Sequence, residues 1–204
     1  KWIRYYIPSL AFIYLVVGFY LVNTNYYSKK TKKMENYLIY FLFLICFIFA
    51  FSFYKTVLLQ NFTTVDAATW AKKNIPEKSK ILSEVYDMGI VPFNQYFPNI
   101  KLFNFYDLET DKTKSEELKT LTENSTYIII PSQRILQSRI LEQKVFPKGY
   151  AFYSKLLNGT LGFKKIYETP CDIFCRILYL NSPIYSFEET ANVFDRPTVL
   201  IFKK

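Results

Sequence analysis

Residues 126–131 read Thr-Tyr-Ile-Ile-Ile-Pro, an unbroken apolar run closed by a proline. A strand with no polar alternation must be buried on both faces, so TYIIIP predicts the central strand of a layered sheet. Working outward, Ser132 can cap a helix over SQRILQSRILEQ, residues 132–143, with Ile135, Leu136, Ile140 and Leu141 turned inward. Upstream, TKSEELKTLTE, residues 113–123, predicts a charged amphipathic helix, and a short strand fits near Lys101 to Phe105. Further back, KSKILSEVY, residues 78–86, predicts a strand with Ile81 and Leu82 in the core and Glu84 and Asp87 at its C-terminal end. A helix over residues 64–75 precedes it, with Thr64 as cap, Val65, Ala68, Trp70 and Ala71 on one side, and Pro76 as the stop.

Downstream, a helix over Tyr150 to Leu157 leads through Asn158-Gly159 into a strand in GFKKIYET, residues 162–169. The last strand is TVLIFKK, residues 198–204, after a turn at Asp195-Arg196-Pro197. Strands alternating with helices argue for an α/β domain, and the missing helix between the last two strands argues for a mixed sheet.

The N-terminal quarter reads differently. Tyr5 to Val22 and Tyr37 to Tyr54 are each eighteen residues without a charge, near the length that crosses about 30 Å of hydrocarbon. Between them Lys29, Lys30, Lys32 and Lys33 form a basic loop that the positive-inside tendency assigns to the cytoplasm. The fold class expected is therefore two transmembrane α-helices over residues 1–55 followed by an α/β soluble domain with a mixed sheet over residues 56–204. The expected location is a multi-pass protein of the cell membrane, with the lipid bilayer as partner and the domain extracytoplasmic. The chain opens with Lys-Trp at the edge of an apolar segment, as a piece of a longer polypeptide would.

Composition removes several chemistries. The absence of histidine excludes Ser/His/Asp and Cys/His catalysis and most zinc sites, and five scattered glycines form no phosphate-cradling loop. The net charge of +9 has acids and bases interspersed after residue 55, which sets nucleic acid aside, and no cofactor or metal is expected.

Candidate ligand-binding side chains are Glu84 and Asp87, where strand ends of open sheets place ligand loops, and Arg134, whose guanidinium fork could take a phosphate. Each has a plainer reading as a loop acid, a cap or an ion pair. The run Asp107-Leu-Glu-Thr-Asp111 is read as a helix-start cluster. Cys171 and Cys175 can form a disulfide only through a tight turn, and Cys46 reads as an apolar filler. The sequons at Asn61, Asn124 and Asn158 are read as chance.

The segments RYYIP, ATWAKKNIPEKSKILSE, YIIIPSQR, PKGYAFYSKLLNGTLGFKKIYE and VFDRPTVLIFKK together resemble the C-terminal region of bacterial polytopic GT-C type glycosyltransferases, similar to protein mannosyltransferases and aminoarabinose transferases. The resemblance implies a parent enzyme that moves a sugar from a polyprenyl-phosphate donor to an extracytoplasmic acceptor. Its catalytic carboxylate would lie upstream, so no residue here is catalytic, and this domain would help receive the acceptor. The alternative is a small membrane-anchored protein whose outer domain binds a partner or scaffolds the envelope without catalysis.

Overall fold

Alternate residues of three strands enter two different cores, and that alternation sets the architecture. The computed structural model describes residues 15, 17–19, 29–55, 62–171, 176, 193, 194 and 196–204. In chain order the strands are β1 (Ile81–Glu84), β2 (Ile100–Phe103), β3 (Tyr127–Ile130), β4 (Lys164–Glu168) and β5 (Leu200–Lys203). The helices are α1 (Lys29–Tyr54), α2 (Thr63–Asn74), α3 (Val91–Asn94), α4 (Lys112–Asn124), α5 (Arg134–Leu141) and α6 (Pro147–Leu157).

The sheet order is β2-β1-β3-β5-β4. β1 runs parallel to β2 and β3, β5 runs antiparallel to both β3 and β4, and the β4–β5 ladder carries an irregularity between Lys165 and Tyr167. The mixed sheet expected from the sequence is present, with TYIIIP in its middle.

On one face Leu82, Ile128, Ile130, Leu200 and Phe202 pack with Leu118 of α4, Ile135 and Leu136 of α5, and Phe152, Tyr153 and Leu156 of α6. On the other, Ile81, Tyr127, Ile129 and Ile201 meet Ala67, Ala68 and Ala71 of α2 together with Ile90, Phe93 and Phe97. Period-two alternation in the strands thus feeds two helical layers. All four residues of β3 are buried, as its continuous hydrophobicity requires.

Two helix faces differ from expectation. In α2 the buried stripe is Thr64, Ala67, Ala68 and Ala71, spaced i, i+3, i+4, i+7, whereas Val65 is exposed. Leu141 is exposed because α5 ends there, while Ile135 and Leu136 are buried. The chain reaches β4 through Gly159 and Gly162 at φ 78° and 84°, left-handed values that other L-residues adopt only with strain.

The membrane architecture is corrected. Among the described residues no helix is long and apolar enough to cross a membrane. The lysine run is not a loop between two spans, because Lys29 to Lys33 form the opening turns of α1. The expected span over Tyr5 to Val22 lies outside the described residues except for Leu15, Val17, Gly18 and Phe19. Among the described residues, therefore, the two transmembrane helices on which the multi-pass location and the extracytoplasmic placement were based are not found.

Because Ile129 is fully buried in the central strand, Ile129→Ala is expected to cost about 3 kcal/mol of stability, with both lost transfer energy and a cavity contributing. Ile166→Ala, on the exposed side of edge strand β4, is expected to cost under about 1 kcal/mol. Chemical denaturation of the two variants checks the ranking, and equal losses would show that β3 is not the centre of the core.

Candidate functional site

From β1 the chain moves to β2 on one side and then crosses to β3 on the other. The loops leaving the C-terminal ends of β1 and β3 diverge at such a switch, which is where open α/β sheets usually seat a ligand. Glu84 and Asp87 end and follow β1 and Arg134 follows β3, so all three lie at this end of the sheet.

Glu84 is the last residue of β1 and faces the layer containing α6. The Tyr153 hydroxyl, from α6, donates to Glu84 Oε1 at 2.5 Å, and the carboxyl is only 2% exposed. Burial, reinforced by the negative charge of Asp87, pushes the Glu84 carboxyl up to about 8, against the lowering effects of the Tyr153 hydrogen bond and Arg139. Its Oε2 has no hydrogen-bond partner among the described residues. Burial likewise raises the Tyr153 hydroxyl, and the adjacent carboxyl adds to that shift.

Asp87 lies two residues past Val85 and is equally buried. Its Oδ1 accepts from Gly89 N at 2.8 Å and caps the short 3-10 turn Met88–Ile90, and its Oδ2 accepts from the Ser132 hydroxyl. Ser132 Oγ in turn accepts from Arg134 N at 3.2 Å. Arg134 Nη1 donates to the Tyr86 carbonyl at 2.8 Å. The loop after β1 is therefore tied to the loop after β3 through one carboxylate, one hydroxyl and one guanidinium. Between them Tyr86 is held at φ 63°, a left-handed conformation costly for a residue of its size.

Behind this network Arg139 is 3% exposed, with Nη2 donating to the Phe105 carbonyl at 3.2 Å and its guanidinium 3.8 Å from the Phe146 ring centroid. The close approach of α6 requires Gly149, since a Cβ there would lie 2.7 Å from Arg139 Cδ. Glu109 accepts from Gly149 N at 2.8 Å, placing an acid at the amide end of α6. Asp111 accepts from Thr113 N at 2.8 Å as the N-cap of α4. The Asp107–Asp111 run does serve helix starts, although one of them belongs to a helix almost forty residues away.

The outcome for the sequence-predicted residues is specific. Glu84 and Asp87 are consumed inside the protein, and Arg134 serves the Tyr86 carbonyl. Among the described residues no group of three or more His, Cys, Asp or Glu could hold a metal. Cys171 is disulfide-bonded and Cys46 carries a free thiol, while Cys175 lies outside the described residues. Tyr153 and Arg139 escaped the sequence reading. Tyr153 sits in a helix whose other inward residues are apolar, so its pattern reports burial and says nothing of a carboxyl partner.

What faces outward at this edge is aromatic. Tyr86 and Tyr106 are both exposed, with ring centroids 6.3 Å apart and planes at 56°. Asn104 Nδ2 donates to Asp107 Oδ2 at 2.5 Å beside them, and Asn104 Oδ1 accepts from Tyr106 N at 3.0 Å. The arrangement has hydrogen-bonding groups and ring faces but no accessible nucleophile paired with a base.

No family model matches this chain, and no curated protein or solved structure matches it. The GT-C type and cell-envelope descriptions implied by the resemblance thus gain no support from comparison.

Glu84 titrates near 4.5 in an unfolded chain and near 8 in the fold. Between those values the folded state keeps a proton that the unfolded state has released. Raising pH through this window therefore lowers stability, by at most about 1.4 kcal/mol per unit, and the loss levels off above about pH 8. Denaturation between pH 5 and 9 is expected to show this decline in the natural chain and a flatter profile in Glu84→Gln. An unchanged slope in the variant would assign the proton to another group.

Proposed function

We propose that the α/β domain is a non-catalytic carbohydrate-binding unit, with the sugar seated against Tyr86 and Tyr106 at the C-terminal edge of the sheet. The observation that carries this reading is the exposed pair of rings at a switch point whose carboxylates are already consumed by the fold. Ring faces take the apolar C–H surface of a sugar, and neighbouring Asn104 and Asp107 supply hydrogen-bonding groups for its hydroxyls. The left-handed Tyr86 presents its ring from a loop braced by Arg134, so little order has to be gained on binding.

Titrating the full chain with maltose and with chitobiose, followed by amide NMR, tests the proposal. Saturable shifts at Tyr86, Asn104 and Tyr106 are expected with at least one of them. Tyr86→Ala and Tyr106→Ala should each weaken binding about tenfold, equivalent to roughly 1.4 kcal/mol. No saturable shift with either sugar, or undiminished binding by both variants, would defeat the assignment.

A further inference from the structure

The opposite end of the sheet carries a different surface. Helices α4 and α6 and the chain ends of β4 and β5 border a groove of about 390 Å³, within the range of small-molecule sites. Its floor is apolar, from Leu118, Phe152, Leu161 and Phe163. Its rim carries the ammonium groups of Lys119, Lys155 and Lys204 against the single carboxylate of Glu123.

Guarding a strand edge does not account for these lysines, although Lys155 stands in the last turn of α6, where a cation suits the helix dipole, and Lys204 caps a carbonyl at the end of α4. An edge strand is commonly guarded by lysine, and Lys164 and Lys165 of β4 fit that role, but Lys119 and Lys155 lie on helices and Lys204 follows an inner strand. Lys119 and Glu123 are 4.0 Å apart and largely exposed, the limit of an ion pair. Lys204 Nζ donates to the Glu123 carbonyl at 2.8 Å and stands 5.9 Å from the Phe163 ring centroid, so its charge is held over the floor. Lys155 has no ion-pair partner among the described residues. A second groove adjoins across Phe163 and Lys204 and adds Lys164 and Lys203, which face each other directly in the β4–β5 ladder.

From the charge balance and the floor we infer that this groove binds a small organic phosphate monoester. Three side-chain ammonium groups against one side-chain carboxylate leave the rim with an excess of positive charge, the sign that suits a phosphate carrying about −1.5 to −2 at neutral pH. The apolar floor takes the organic group, and the phosphate sits at the rim among the lysines. This site is independent of the carbohydrate reading, since it lies at the other end of the strands and shares no residue with it.

Phenyl phosphate is the probe, with inorganic phosphate and phenol as its two halves, each titrated into the full chain. Phenyl phosphate is expected to give saturable amide shifts confined to residues 115–123, 151–155, 161–163 and 204 and to bind at least tenfold more tightly than either half. Lys155→Glu combined with Lys204→Glu should weaken it at least tenfold, with the amide spectrum otherwise retained. A readout without substitution uses amine acetylation of the natural chain, in which phenyl phosphate should protect Lys155 and Lys204 while Lys72 and Lys101 react unchanged. Equal affinity for inorganic phosphate, shifts spread over all surface lysines, or no protection of Lys155 and Lys204 would each overturn the assignment.

Discussion

The double burial of β3 is the constraint from which the remaining architecture follows. Four consecutive large side chains, Tyr127 to Ile130, can be dehydrated only if both sheet faces are covered. The alternation of Leu82 and Ile81 in β1, and of Phe202 and Ile201 in β5, repeats this demand on either side of β3. Helices α4 to α6 answer it on one face, and α2 with the segment around Phe93 answers it on the other. Small alanines in α2 let that helix lie close against the strands, whereas the opposite face is filled by Phe105, Phe152 and Tyr153 with rings 5.0 to 5.3 Å apart.

Glu84 shows what this packing does to chemistry. The alternation that sends Leu82 to the aromatic face sends Glu84 there too, two residues on, and no water reaches it. A charged carboxylate in that position would be expensive, so the group keeps its proton and pairs with Tyr153. Asp87, lying outside the strand, keeps a full set of donors from Gly89 and Ser132 and acts as a brace between loops. Two acids three positions apart thus take different roles because one belongs to the pleat and the other to the turn that follows it.

Much of the α/β unit was legible in the residues because its signals are local. TYIIIP, the proline after Ile75, the Asp111 cap and the glycines before β4 each act within a few positions, and each marks an element that is present. The positions of Glu84 and Asp87 at the end of β1 and of Arg134 after β3 were also readable, since strand ends follow from local pattern. The Glu84–Tyr153 contact joins residues 69 apart and depends on how α6 settles on the sheet, which no periodicity records. The same holds for Glu109, whose sequence position suggested its own neighbouring helix rather than the amide end of α6. In the N-terminal segment, two uncharged stretches of eighteen residues and a lysine cluster between them predict a pair of spans with a basic loop, whereas the lysine run is helical.

Strand β5 lies between β3 and β4, with Leu200 paired to Ile130 and Lys203 to Lys164. The antiparallel half of the sheet consequently cannot exist until some seventy residues beyond the central strand have been made. A nascent chain reaching α6 has buried one edge of β3 against β1 and left the other bare, an open ladder with Ile128 and Ile130 awaiting Phe202 and Leu200. Contacts of such sequence separation carry a loop-closure cost that helices do not. Because β4 is paired only with β5, the whole antiparallel half of the sheet hangs on the last strand of the chain.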